Sequence, residues 1–175
     1  FLLCLLWIAK GWRRVVLTIS GFTVAHSITL GLSALSLIKL PLPPVEATIA
    51  LSVVFLATEI AKSRRDSLTW RYPVAVSSTF GLLHGLGFAA VLNEIGLPQT
   101  ELLTGLLFFN VGVEIGQLVF AAGVLVLMRG VKGVLGYFAI DLGLVNGLKV
   151  AVVYLIGGVS AYWLVERSVA FVPGL

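Results

Sequence analysis

The sequence predicts an all-α protein: a polytopic bundle of transmembrane helices, five of them complete and the first one truncated. Three observations predict this class. Hydrophobic residues make up 59% of the chain and charged residues 11%, whereas an ordinary soluble domain carries about 25% charged residues. Mean hydropathy is +1.08, so a soluble fold of 175 residues could not hide the apolar surface and the solvent must be lipid. The apolar residues also fall in runs near the length a spanning helix needs, about 20 residues. They do not alternate as the lipid and lumen faces of a barrel strand do.

The elements follow in order. Phe1–Ala9 (1–9) is apolar but too short to span. No positive n-region and no small-residue cleavage site precede Lys10, so it does not read as a signal peptide. We read it as the tail of a helix that begins upstream. Val15–Ile38 (15–38) is the second helix. Val45–Ala61 (45–61) is the third, entered through Pro41, Pro43 and Pro44, residues that suit a helix start and not its interior. Pro73–Leu92 (73–92) is the fourth. Leu102–Met128 (102–128) is the fifth, long enough to tilt. Val150–Leu164 (150–164) is the core of the sixth. The Gly-rich stretch from Arg129 to Lys149, with Tyr137, Phe138 and Asp141, reads as an interfacial segment. No soluble domain or linker appears, so residues 1–175 form one integral-membrane domain.

Charge supports the same layout. Lys10, Arg13 and Arg14 mark the first connection, Lys62, Arg64, Arg65 and Arg71 the third, and Arg129, Lys132 and Lys149 the fifth. These are ten of the twelve Lys and Arg residues. By the positive-inside rule the odd connections are cytoplasmic, and the C-terminus lies outside. Trp7, Trp12, Trp70 and Trp163 fall near the expected interfaces and read as belt anchors. With no basic stripe interleaved with exposed aromatics, nucleic acid is not expected as a partner. The single cysteine, Cys4, excludes an internal disulfide and a CxxC metal site.

Chemistry is expected where polar groups sit at the least hydrated depth. His26 lies about 17 Å from each end of its helix at 1.5 Å per residue, and His84 and Glu114 lie at similar depth on theirs. Ionisable groups at that depth face the bundle interior and mark a pathway or a partner. Asn110, Glu114 and Gln117 recur at i, i+4 and i+7 and share a helix face. Gly105, Gly112, Gly116 and Gly123 form a smooth opposite face, so this helix is expected to pack on both sides. Gly81 and Gly85 make a small-xxx-small pair beside His84. Imidazole suits Zn, Cu, Fe and Ni, so two histidines with oxygen donors and no thiolate fit transient binding of a divalent transition metal. His26, His84 and Glu114 are the candidate metal ligands. Asn110, Gln117, Thr23, Ser27, Ser77 and Glu59 are candidates for orienting them or lining the path. Each histidine is equally a candidate for a neutral bond across helices, Glu114 for a protonated one, and Glu59 for pairing with Lys62 or Arg64.

Phe22-Thr23-Val24-Ala25-His26-Ser27-Ile28-Thr29-Leu30, Phe80-Gly81-Leu82-Leu83-His84-Gly85-Leu86-Gly87-Phe88, Phe109-Asn110-Val111-Gly112-Val113-Glu114-Ile115-Gly116-Gln117 and Tyr162-Trp163-Leu164-Val165-Glu166-Arg167 together resemble the signature helices of the HupE/UreJ family. The resemblance runs in order along essentially the whole chain. It implies a multi-pass protein of the bacterial inner membrane that takes up Ni²⁺, or in some members Co²⁺, for hydrogenase or urease maturation. The family's HxxxGxDH-like motif on the first helix has no counterpart here, where only Phe1-Leu2-Leu3-Cys4-Leu5-Leu6 of that helix remain. The expected partners are therefore the divalent ion, the lipid bilayer and metalloenzyme maturation proteins. No permanently bound cofactor and no enzymatic activity are expected. Two alternatives stand beside transport. One is a non-transporting accessory protein of a maturation complex. The other is an intramembrane protease with His84 as base, for which Ser33 in Gly31-Leu32-Ser33-Ala34-Leu35 lacks the final glycine of a GxSxG context.

Overall fold

A computed structural model describes residues 1–63, 65–95, 101–137 and 142–170. These residues form seven helices and no strand: α1 (Leu2–Ile8), α2 (Trp12–Ala34), α3 (Leu42–Lys62), α4 (Leu68–Arg71), α5 (Pro73–Ile95), α6 (Leu102–Tyr137) and α7 (Leu142–Val169). Among them Trp12–Ala34, Leu42–Lys62, Leu102–Val131 and Gly147–Val169 are long and apolar enough to cross a membrane. The chain is an all-α membrane bundle.

Local chemistry sets the helix limits. Gly11 sits at φ +89°, where a side chain would be strained, and this lets the chain turn from α1 into α2. α2 stops at Ala34, short of the expected Ile38. Ser36 adopts a left-handed conformation, and the Leu37 amide bonds back to Leu32 O at 2.9 Å, closing the helix end. Prolines in the first turn open α3, and Ser63 in the left-handed region closes it. The one-turn α4 was not expected. It bridges the basic connection and hands the chain to Pro73 at the start of α5.

The largest correction concerns the stretch from Arg129 to Lys149. It is not a separate interfacial segment: α6 continues to Tyr137 and α7 begins at Leu142. Asp141 and Phe138 lie outside the described residues. The glycines after Arg129 are isolated and no proline intervenes, and each residue added to an existing helix gains a backbone hydrogen bond. At 36 residues α6 measures about 54 Å, well beyond a hydrocarbon layer of about 30 Å. It therefore tilts or projects past that layer at its Arg129 end.

Register contacts fix the helix directions. Ser77 Oγ of α5 bonds Thr18 O of α2 at 2.8 Å, Gly81 abuts Phe22 and Gly85 abuts His26 and Thr29. Both numbers rise together, so α2 and α5 run parallel. α6 runs antiparallel to α2: Leu102 and Leu106 pack near Leu30 and Ala34, and Ala121 packs near Val15 and Ile19. α7 runs antiparallel to α3, with Glu46 near Arg167 and Ile60 near Val153. These directions gather the Lys10, Lys62, Arg71 and Arg129 ends on one side of the bundle. The Glu46–Arg167 pair, 3.3 Å apart, marks the other side.

The two most extensive interfaces are α2 with α5 and α3 with α7. Lipid is as apolar as leucine, so close packing holds such helices together, with some help from hydrogen bonds. The expectation that α6 packs on both faces is not met among the described residues. A Cβ at Gly112, Gly116 or Gly123 would meet nothing within 4 Å. Trp70, on α4, packs against the core cluster of Cys4, Leu56 and Ile60.

Candidate functional site

The α2–α5 interface positions both histidines. Gly81 and Gly85 are one turn apart on α5, and without side chains they let its backbone approach α2 at Phe22 and His26. His84 lies between them in sequence, and its face turns toward the same seam. His26 is 2% exposed and His84 9%.

The Phe22 ring contacts both imidazoles. It stacks on His26 with centroids 5.8 Å apart, and meets His84 edge-on at 5.2 Å. Phe88 meets His26 edge-on at 5.3 Å, and Phe1 lies against His84 at 4.8 Å. The pair therefore occupies an aromatic box. A cleft of about 600 Å³ between α3, α5 and α7 reaches this box, lined there by Phe1, Gly87 and Phe88.

Hydrogen bonding defines what each ring can offer. His84 Nδ1 lies 2.8 Å from Phe80 O. A carbonyl only accepts, so Nδ1 carries the hydrogen and Nε2 keeps its lone pair. An imidazole held this way is oriented for metal ligation through the other nitrogen. His26 differs, since both its Nδ1 and its Nε2 are buried without a partner. Leaving a buried polar atom unpaired costs about 1–3 kcal/mol. Unpaired buried groups are rare in native proteins, and each calls for a reason.

Glu114 belongs to a second polar seam, between α2 and α6. Its Oε1 accepts a hydrogen bond from Ser20 Oγ at 2.6 Å, and its Oε2 is buried and unpartnered. One turn on, Gln117 Oε1 and Ile19 O share the Thr23 hydroxyl hydrogen, each at 3.2 Å. One turn back, Asn110 Nδ2 bonds Leu106 O at 2.8 Å, leaving its Oδ1 buried without a partner.

Among the described residues no three His, Cys, Asp or Glu side chains gather closely enough to hold one metal ion. His26, His84 and Glu114 thus do not close into a single three-ligand set. The structure joins the histidines through Phe22 and pairs Glu114 with Ser20 instead. Ser27 Oγ bonds Thr23 O at 2.6 Å within its own helix, and Ser77 ties α5 to α2. Glu59 stands apart near the basic end of α3, where it accepts a bond from Ser67 Oγ. Ser33 lies in the last turn of α2, and the described residues show no hydrogen bond between it and His84.

Sequence reasoning missed Ser20 and the aromatic box. Ser20, Thr23 and Ser27 recur at i, i+3 and i+7, the complement of the Asn110, Glu114 and Gln117 face, and that spacing was the available signal. The phenylalanines gave none, because apolar residues are unremarkable in a spanning helix.

Parallel and antiparallel apolar helices with two polar seams between them define a polytopic helical membrane protein with buried ligand-type side chains. The family model described as HupE / UreJ protein matches residues 1–167, and the chain belongs to that family. The family's role is as a membrane accessory of hydrogenase and urease or in nickel and cobalt uptake. No curated protein and no solved structure matches the chain.

Proposed function

We propose that this protein carries a divalent transition metal, Ni²⁺ first and Co²⁺ second, across the bacterial inner membrane to supply hydrogenase or urease maturation. One observation carries the reading: two buried imidazoles share the Phe22 ring at the α2–α5 seam, and His26 has neither nitrogen satisfied. Imidazole nitrogen is a good donor to nickel and cobalt. A transported ion must bind well enough to enter and weakly enough to leave. Two protein nitrogens meet that condition better than a closed cage does. The aromatic faces of Phe1, Phe22 and Phe88 add attraction for a cation as its water shell thins.

By the positive-inside rule the Lys10, Lys62, Arg71 and Arg129 side is cytoplasmic. α2, α5 and α7 then run outward, and the C-terminal end of α7 faces the periplasm. The Glu46–Arg167 side becomes the side from which metal arrives, and the cleft leading to Phe88 becomes its route. Maturation proteins would receive the ion at the basic side.

The test is Ni²⁺ uptake into liposomes containing the purified protein. Uptake should fall at least tenfold in His26→Ala and in His84→Ala. Wild-type protein that folds but moves no metal would favour the non-transporting accessory role. Unchanged uptake in both variants would remove the histidines from the path.

A further inference from the structure

We propose that Glu114 and Asn110 of α6, together with Ser20 and Thr23 of α2, form an oxygen-donor site for one sodium ion, separate from the imidazole pair. Donors and acceptors across the α2–α6 seam do not balance. The α6 face presents acceptors at three successive positions, and α2 offers hydroxyls in return. Ser20 satisfies Glu114 Oε1, and Thr23 reaches Gln117. Glu114 Oε2 and Asn110 Oδ1 remain buried and unpartnered. Residues at i and i+4 are neighbours on a helix surface, and the Asn110 amide nitrogen is already committed to Leu106 O. Two orphan acceptors thus lie one turn apart on the α6 face that packs against α2.

Both orphans need something positive. On α2 Arg13 and Arg14 stand about two turns before Ser20, and on α6 Arg129 and Lys132 stand about four to five turns past Glu114, all toward the basic end, and the ion pair among the described residues is Glu46–Arg167. A donor set made only of carboxylate, amide and hydroxyl oxygens suits a hard ion. A divalent ion beside a single carboxylate would leave a net positive charge at mid-membrane depth, where unpaired charge is costly. A monovalent ion leaves none. Ser20 Oγ and Thr23 Oγ1 keep lone pairs after donating their hydrogens, so both can also ligate. A proton on Oε2 is the competing answer. It supplies one donor, and it involves neither hydroxyl.

Thr23 and His26 lie less than one turn apart on α2, so one helix carries both seams. An ion bound on the α6 side would bias the position of α2 and hence the imidazole pair, and by linkage metal would bias sodium binding equally. This coupling rests on the transport reading; the sodium site itself does not.

The experiment follows thermal unfolding of the purified full chain without divalent metal, using a thiol-reactive dye that reports exposure of the buried Cys4. NaCl replaces choline chloride at constant ionic strength and pH. At a hundred times Kd the midpoint should rise by about 5–10 °C, saturably, with no rise in choline. Glu114→Gln and Asn110→Leu should abolish the rise and Ser20→Ala should weaken it, while Glu46→Gln should keep it. The wild-type comparison needs no variant to fold. An absent sodium effect, or a rise that persists in both Glu114→Gln and Asn110→Leu, overturns the site. So does an equal rise produced by lowering pH in choline. Ni²⁺ uptake in liposomes should then respond to a sodium gradient several-fold. Sodium binding without that response overturns the coupling, and sodium binding without any uptake overturns the transport reading alone.

Discussion

Gly85→Ala tests the packing that brings the histidines together. A Cβ there would fall on Thr29 Oγ1 and on the His26 carbonyl oxygen, and would lie 2.9 Å from the Leu30 amide nitrogen. Carbon contacts are comfortable at about 3.5–4.0 Å. Thr29 can rotate away, but the other two atoms are backbone. The helices must therefore part by roughly 1 Å, where even a radial gap of about 0.5–1 Å forfeits a quarter to a half of each contact's attraction. Separation also stretches the Ser77–Thr18 bond about two turns along the same seam. Overpacking of this kind costs about 1–3 kcal/mol. Against that, alanine gains about 1 kcal/mol of helix propensity over glycine, so the net loss is about 0–2 kcal/mol against wild type and about 1–3 kcal/mol against a glycine-to-alanine control that meets no contact. Gly112→Ala is the matched control, because a Cβ there meets nothing. It should be neutral or stabilising. The assay is reversible unfolding in mixed detergent micelles, read by circular dichroism, with Ni²⁺ uptake measured in parallel. Gly85→Ala should lose both stability and uptake. A Gly85→Ala protein as stable as Gly112→Ala would refute the parallel α2–α5 seam.

Other outcomes follow from the same geometry. Ser77→Ala removes a fully buried hydroxyl that bonds Thr18 O. In the unfolding assay it should cost about 0.6–2 kcal/mol, the range for such bonds between membrane helices. The Glu46–Arg167 pair keeps side-chain exposures of 31% and 46%. Breaking it with Arg167→Gln should change stability by less than about 1 kcal/mol, and less still at high salt. Cys4 is 0% exposed, so a membrane-permeant maleimide should leave the folded protein unlabelled and react only on unfolding.

The fold was largely legible because bilayer physics leaves few options: apolar runs of the right length, bounded by Pro41, Pro43, Pro44 and Pro73, must be helices. The depth of His26 and His84 followed by counting. The Gly81–Gly85 pair announced close packing, and the structure shows the partner to be α2. The partner itself was not legible. A helix apolar all round carries no core-facing stripe, so neither Phe22 nor Phe88 stood out from other phenylalanines. The glycines of α6 carried the same signal as those of α5 without a neighbour to match. Glu114 illustrates the limit. Counted along its helix, its depth is similar to that of the histidines, but depth fixes only one coordinate, and the face of α6 turns it toward Ser20. The end of α6 was misplaced because Arg129 suggested a boundary that helix propagation ignores.

The central claim is that α2 and α5 bring His26 and His84 into one site for a passing metal. X-ray absorption at the nickel edge on purified protein loaded with one equivalent of Ni²⁺ tests it most directly. The account predicts scattering from two imidazole rings in the wild type, one ring in either His26→Ala or His84→Ala, and none in the double variant. An all-oxygen shell in the wild type, or a spectrum unchanged by both substitutions, would contradict it.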